Sequence, residues 1–162
     1  MAAGDTLDKF VATSLEPLSA NTATLDTRNQ HPVLDFDGST NESAVFRGIM
    51  PQHYGGGGWD VILHVSHSSD ITNDTDWDIQ VERTSDGTLD IDSDSFATTV
   101  ETNGTAVPGT AGIIQKITCV LTSGQIDGVT AGDSYRLKVR RDAASDESTT
   151  DAELSAVEIR EN

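Results

Sequence analysis

Short runs of alternating apolar and polar residues restrict what this chain can fold into more than any other feature of its sequence. Strict alternation over about four to eight residues is typical of a half-buried β-strand, because successive side chains of a strand point to opposite faces. Four runs, at 59–67, 75–83, 113–122 and 134–141, have this pattern. The residues that they place on the inward face are Trp59, Val61, Leu63, Val65, Trp77, Ile79, Val81, Ile117, Cys119, Leu121, Tyr135, Leu137 and Val139.

Three further runs, at 33–36, 43–50 and 152–160, also have the composition of strands, and connections rich in Gly, Asp, Ser and Asn separate the runs. No window of about 11–18 residues has a helical period. Seven or eight short strands at this spacing predict an all-β fold, an antiparallel β-sandwich or barrel. A jelly-roll-like sandwich with two four-stranded sheets fits the strand number best.

The first 30 residues are weakly patterned, and the sequence predicts an extended N-terminal arm or lead-in over 1–30 before a β-sandwich domain at 31–162. Residues 5–12 have the spacing of one or two helical turns, and Pro17 prevents such a helix from continuing. The start of the chain has no apolar stretch, so we expect no signal peptide.

The charge of the chain excludes several classes of partner. Its 27 acidic and 10 basic residues give a net charge of −17. Nucleic acid and anionic membranes both bind basic surfaces, so neither is an expected partner. No apolar run approaches the length of about 18 residues that a membrane span needs. Such dense carboxylates favour a saline environment, or else a surface that docks on a basic partner or binds cations.

Residues 86–101 form the densest acidic stretch and are the one candidate for a calcium site. The residues at the first, third, fifth and twelfth positions of an EF-hand-like count are Asp90, Asp92, Asp94 and Glu101. Ser95 stands at the sixth position, where such a loop needs glycine for its turn. The favoured interpretation is therefore a strand that turns three aspartates to solvent and Leu89 and Ile91 inward.

The other reactive residues do not form a catalytic or metal-binding set. His64 and His67 point to opposite faces of a strand, so they cannot bind one zinc ion together. Cys119 is in the inward phase of its strand and is predicted to be a buried apolar side chain. Gly132-Asp133-Ser134 resembles the start of a hydrolase block, but no histidine follows His67 to act as its base. We predict no catalytic, cofactor-binding or metal-ligating residues and no enzyme activity.

Two unusual local compositions receive structural interpretations. The quartet Gly55–Gly58 lacks the residues of a phosphate-binding loop and precedes a strand, so it is expected to let the chain cross a crowded surface. Half of the basic residues lie near the C-terminus, at Arg136, Lys138, Arg140, Arg141 and Arg160. This basic cluster either pairs with acidic residues of the same chain or meets those of an identical neighbour.

Two segments resemble a known group of proteins. They are HPVLDFDGSTNESAVFRGIMPQHYGGGGWDVILHVS at 31–66, and GDSYRLKVRRDA with DAELSAVEIRE within 132–161. Both are similar to small all-β virion structural proteins of tailed phages, of the head decoration or cement type. The resemblance implies a jelly-roll-like fold, assembly into a virion in the host cytoplasm, and no catalysis.

The function expected from this resemblance is capsid decoration. A homotrimer would bind the major capsid protein on the outside of the head and stabilise it by bridging capsomers. The alternative is a carbohydrate- or receptor-binding β-sandwich module of a tail fibre. A sugar platform needs exposed aromatic rings, whereas Trp59 and Trp77 are both in the inward phase, which argues against this alternative.

Overall fold

A computed structural model describes residues 4–162 of the chain and contains ten strands. The strands are β1 (Thr6–Val11), β2 (Thr24–Arg28), β3 (His31–Phe36), β4 (Ser43–Ile49), β5 (Trp59–His67), β6 (Asp74–Thr84), β7 (Val100–Ala106), β8 (Gln115–Leu121), β9 (Ser134–Arg141) and β10 (Ala152–Glu161). One short 3-10 helix, Ala12–Ser14, follows β1. Over residues 4–162, no helix has the length and apolar character needed to cross a bilayer.

The strands form two antiparallel sheets with the winding of a jelly roll. One sheet has the order β2-β3-β10-β5-β8, with β1 also paired to β10, and the other has the order β4-β9-β6-β7. The eight strands from β3 to β10 are therefore divided between the sheets as β3-β10-β5-β8 and β4-β9-β6-β7, the strand order of a jelly roll. The all-β sandwich predicted from the alternation is confirmed, but one sheet has six strands instead of four.

The two additional strands come from the first 30 residues. Residues Thr6–Val11 form β1 beside β10, so the helical turn predicted over 5–12 is wrong. Leu7 and Phe10 are both buried in the core, although they are three residues apart, because the register shifts by a β-bulge between Thr6 and Asp8. Farther along, isolated bridges join Glu16 and Thr22 to β4, so this segment lies against the four-stranded sheet.

The core lies between the sheets and contains every residue that the alternation placed inward. All thirteen are at most 3% exposed. Aromatic rings join the layers: the Phe36 and Trp77 rings meet edge to face at 5.2 Å, and the Trp59 and Tyr135 rings lie 5.1 Å apart. Burial of such rings contributes a large share of core stability.

The glycine quartet lets the loop before β5 lie directly against the end of the chain. The Glu161 carboxylate accepts hydrogen bonds from the backbone N–H groups of Gly55 and Gly57, at 3.0 and 3.4 Å. A β-carbon on Gly58 would lie 2.3 Å from the Leu121 carbonyl oxygen. The interpretation of the quartet as a crossing of a crowded surface agrees with these contacts.

Candidate functional site

A cleft of about 330 Å³ lies on the outer face of the four-stranded sheet. Strands β4 and β9 form its floor, the segment that precedes β2 forms one wall, and the connection between β6 and β7 contributes an aromatic ring. Its lining residues are Leu18, Ala20, Asn21, Asn41, Ser43, Val45, Phe96, Lys138 and Arg140. The volume is at the lower end of the range of about 300–1,000 Å³ that is usual for small-molecule pockets.

The cleft holds a cation that makes no ion pair with the described residues. Each of the seven arginines makes an ion pair, whereas Lys9, Lys116 and Lys138 make none within the described part of the chain. The arginine pairs are Arg28–Glu153, Arg47–Glu16, Arg83–Asp133, Arg136–Glu16, Arg136–Glu82, Arg140–Asp78, Arg141–Asp146 and Arg160–Glu158. Burial and the nearby Arg140 charge lower the pKa of Lys138, against the opposing effect of the Asp78 carboxylate.

The Phe96 ring lies next to this cation. Its ring centroid lies 5.5 Å from the Lys138 Nζ atom and 5.1 Å from the Arg136 guanidinium carbon. Such cation–π contacts contribute about 0.5–1 kcal/mol at exposed sites. Backbone and side-chain hydrogen bonds position the ring, because the Ala97 N–H donates to the Val81 carbonyl and its own carbonyl accepts from Gln80.

Two of the polar side chains at the cleft already make hydrogen bonds to other residues of the chain. The Asn41 amide donates to Asp142 and accepts from the Ala144 N–H. The Arg140 guanidinium donates to Asp78 through two of its nitrogens. The side chains of Asn21 and Ser43 make no hydrogen bond to another described residue, although their backbones pair with one another. The cleft therefore offers an ammonium, an amide and a hydroxyl beside aliphatic and aromatic carbon.

The acidic stretch 86–101 does not form the strand that the sequence predicts before β7. Asp90 instead begins a tight turn, in which its carboxylate accepts from the Asp92 N–H at 3.0 Å and its carbonyl from the Asp94 N–H at 2.9 Å. Asp favours such turns because its side chain bonds the backbone locally. Leu89 and Ile91 are exposed, Ile91 by 73%, so their predicted inward orientation is wrong. No group of residues in 4–162 is placed to hold a metal ion.

The two histidines occupy different environments, as their spacing predicts. His64 lies on the outer face of the six-stranded sheet, half-buried, and burial lowers its pKa. His67 is 1% exposed, and neither of its ring nitrogens has a hydrogen-bond partner among residues 4–162. Burial and the Arg141 charge lower its pKa to about 4, against the opposing carboxylates of Asp70 and Glu153.

His67 should make the stability of the protein depend on pH. Between pH 4 and 6.5 the unfolded chain binds a proton here that the folded chain excludes, so the unfolding free energy rises with pH across this window. We expect His67→Leu, which cannot titrate and leaves no polar atom without a partner, to flatten that rise by roughly 3 kcal/mol. Urea unfolding at a series of pH values measures the slope, and an unchanged slope would contradict the assignment.

Asp35 provides a control of opposite sign. Burial and repulsion from Asp151 and Glu153 raise its pKa from 3.8 to about 6. Between pH 3.8 and about 6 the folded chain therefore binds a proton that the unfolded chain has lost, and the unfolding free energy falls as the pH rises through this range. Asp35→Asn should remove this fall and stabilise the protein above pH 6, so the two substitutions are expected to change the slope in opposite directions.

Cys119 is buried in the core, and burial raises the pKa of its thiol to about 11. The thiolate is the reactive form of cysteine, so the native thiol should be inert. We expect no reaction with a thiol-specific reagent near pH 8 in the native state, and complete reaction after denaturation. Rapid labelling of the native protein would show that this part of the core opens readily.

Asp133 and Ser134 belong to a turn and a strand start. The Asp133 carboxylate accepts from the Thr130 N–H and pairs with Arg83, both at 2.8 Å, which together hold its pKa low against the effect of its burial. Ser134 is the first residue of β9. The Gly132-Asp133-Ser134 sequence therefore forms a turn that leads into β9.

The C-terminal basic cluster pairs mainly within the chain. Its four arginines bind carboxylates of the same molecule, as described above. Arg141 is fully buried, in line with its inward phase on β9, and within the cluster only Lys138 makes no salt bridge to a described residue. Of the two alternatives drawn from the sequence, pairing with nearby acidic residues of the same chain therefore describes the arginines.

Comparison with known proteins supports the fold. No family model and no curated protein matches the chain. A family 35 carbohydrate binding module from an environmental isolate matches with a TM-score of 0.54 at 10% identity, over 96% of this chain and 94% of the module. A proposed sugar binding protein from Bacteroides thetaiotaomicron matches with a TM-score of 0.51 at 10% identity, over 96% and 88% of the two chains. At this identity the likeness establishes a shared β-sandwich.

Proposed function

We propose that this chain is a non-enzymatic structural protein of a tailed-phage virion. It would be a decoration protein that binds the major capsid protein on the outside of the head as a homotrimer. One observation carries the proposal: the two segments that resemble such proteins, 31–66 and 132–161, pair with each other in the fold. Strand β10 lies between β3 and β5, and β9 lies beside β4. The resemblance therefore covers three adjacent strands of one sheet and two of the other instead of one isolated motif.

The proposed mechanism is mechanical. A closed sandwich adds buried interface between capsomers, and the segment before β2 offers further contacts at the edge of the domain. Each bridged pair of capsomers would then separate less readily under the pressure of the packaged genome. This mechanical role requires no catalytic residue.

Cryo-electron microscopy of the parent particle tests the placement. We expect density for this fold on the outside of the head, at three-fold or quasi-three-fold positions of the capsid lattice. Density on the tail alone, or none on the particle, would contradict capsid decoration. Heads assembled without this chain should also release their genome at a lower temperature than complete heads, and should regain stability when purified protein is added.

Light scattering coupled to size exclusion tests the trimer. Three copies would carry a net charge of three times −17, so their mutual repulsion should weaken association at low salt. We expect the trimer fraction to rise with ionic strength. A monomer at every salt concentration, and single copies on the particle, would contradict the homotrimer.

A carbohydrate-binding module is the second candidate, and the likeness in fold to two sugar-related structures favours it. The distribution of aromatic rings argues against it, because seven of the eight aromatic side chains are buried and only Phe96 is partly exposed. Affinity electrophoresis in gels that contain soluble polysaccharides separates the two candidates. Retardation that disappears in Phe96→Ala would favour sugar binding over decoration.

A further inference from the structure

We propose that the cleft between β4, β9 and Phe96 binds a small monocarboxylate ligand, whose carboxylate pairs with the Lys138 ammonium. This site goes beyond capsid decoration and does not depend on it. The cleft combines apolar walls with one cation that makes no ion pair. The carboxylate of the ligand would bind the cation, and the carbon body of the ligand would lie against the walls.

The charge balance of the chain identifies Lys138 as unusual. With 27 acidic residues against 10 basic ones, a half-buried cation would be expected to find a carboxylate within the chain. All seven arginines do so, including Arg136 and Arg140 on either side of Lys138 in β9. The Lys138 ammonium instead makes no ion pair with a described residue: it lies 5.5 Å from the centroid of the Phe96 ring, and the nearby Asp78 carboxylate is bonded to Arg140. An ion pair formed there would be partly shielded from water, which strengthens it.

The net charge of the site selects a monovalent anion. Two cations, Lys138 and Arg140, line the cleft, and the one carboxylate that interacts with both, Asp78, accepts hydrogen bonds from two nitrogens of Arg140, which leaves a net charge of about +1 among these three groups. One ammonium suits one carboxylate better than a doubly charged phosphate, which usually needs several cationic or backbone donors. The Asn21 amide and the Ser43 hydroxyl are available as further donors to its oxygens.

The walls select a ligand with a body larger than acetate. Leu18, Ala20 and Val45 supply aliphatic carbon, and Phe96 supplies an aromatic ring. A cleft of about 330 Å³ has room for a chain or ring of several carbon atoms beside the carboxylate. An aliphatic acid and a hydroxylated sugar-type acid share this chemistry, and the experiment below distinguishes them.

Titration followed by nuclear magnetic resonance tests the site. The complete chain, with its lysine side chains labelled, is titrated with sodium pentanoate, with sodium gluconate and with the neutral 1-pentanol at constant ionic strength. We expect a saturable shift of the Lys138 ammonium or side-chain signals with at least one carboxylate, and none with 1-pentanol. Stronger binding of pentanoate identifies an aliphatic acid, and stronger binding of gluconate identifies a hydroxylated one.

Two variants separate a specific site from general attraction to lysine. Lys138→Met keeps the length of the side chain and removes its charge, so it should weaken binding at least tenfold, as expected for the loss of a charge-assisted hydrogen bond. Lys116→Met removes an exposed lysine on the opposite sheet and should leave binding unchanged. Should Lys138→Met fail to fold, the wild-type protein still tests the site, because a saturable shift must then occur at the Lys138 signals and not at those of Lys116. No saturable shift with either carboxylate, or equal binding by both variants, would overturn the proposal.

Discussion

Replacement of Arg141 by methionine is expected to lower the free energy of unfolding by about 3–5 kcal/mol, the usual cost of removing one partner from a buried ion pair. Arg141 is 0% exposed at the end of β9. Its guanidinium donates to Asp146 at 2.8 Å and to the carbonyl oxygens of Thr150, Ser148 and Phe36 at 2.6, 2.7 and 3.2 Å. The variant would leave a buried carboxylate and three carbonyls without this donor.

The position of Arg141 explains why the loss should be large. Its contacts hold the connection between β9 and β10 against the end of β3, so one side chain joins three parts of the sandwich. Arg47→Met provides the matched control, since Arg47 is half exposed and pairs with Glu16 at the surface. Exposed pairs contribute at most about 1 kcal/mol. Chemical denaturation of both variants measures the difference, and equal losses would show that the buried network is not a major source of stability.

The alternation in the sequence was sufficient to predict most of the sandwich. Strands such as β5 and β9 each have one face in the core, so the period of two residues is directly visible in their sequences. The same period places Arg141 on the inward face of β9. A charged residue in that phase indicates a buried ion pair, and the sequence of β9 alone contains this signal.

The strands that sequence reasoning missed lack that period for a physical reason. In β2 and β7 every residue is at least partly exposed, so neither of these edge strands has a face buried in the core. An edge strand with little buried surface has no need of alternation. β1 has buried residues at Leu7 and Phe10, three apart, and a β-bulge near its start produces this helix-like spacing.

The cleft could not be predicted from the sequence because its parts are far apart along the chain. Asn21, Phe96 and Lys138 come from a lead-in segment, a long connection and a central strand. That Lys138 makes no salt bridge becomes visible only after the carboxylate partners of all the arginines are known. Phe96 gave no signal of its own, since it lies in an irregular segment without a pattern.

Leu137→Ala is the second substitution for which we expect a large effect. Leu137 lies in β9 between Phe46 of β4 and Val81 of β6, and its side chain is 0% exposed in the core. Truncation to alanine removes buried carbon and leaves a cavity, which costs about 2–5 kcal/mol. The upper part of this range applies where the surroundings cannot collapse, and hydrogen bonds to both neighbouring strands restrain β9 in this way.

Val120→Ala tests whether this loss reflects burial. Val120 also lies in a strand, β8, but its side chain is 59% exposed, so the change should stay within about 0.5 kcal/mol. Urea unfolding should show a lower midpoint for Leu137→Ala with an unchanged dependence on denaturant, because the variant keeps the fold and loses only stability. A loss below about 1 kcal/mol would contradict a close-packed core around β9. A changed slope would instead indicate that the substitution alters how much surface the chain exposes on unfolding.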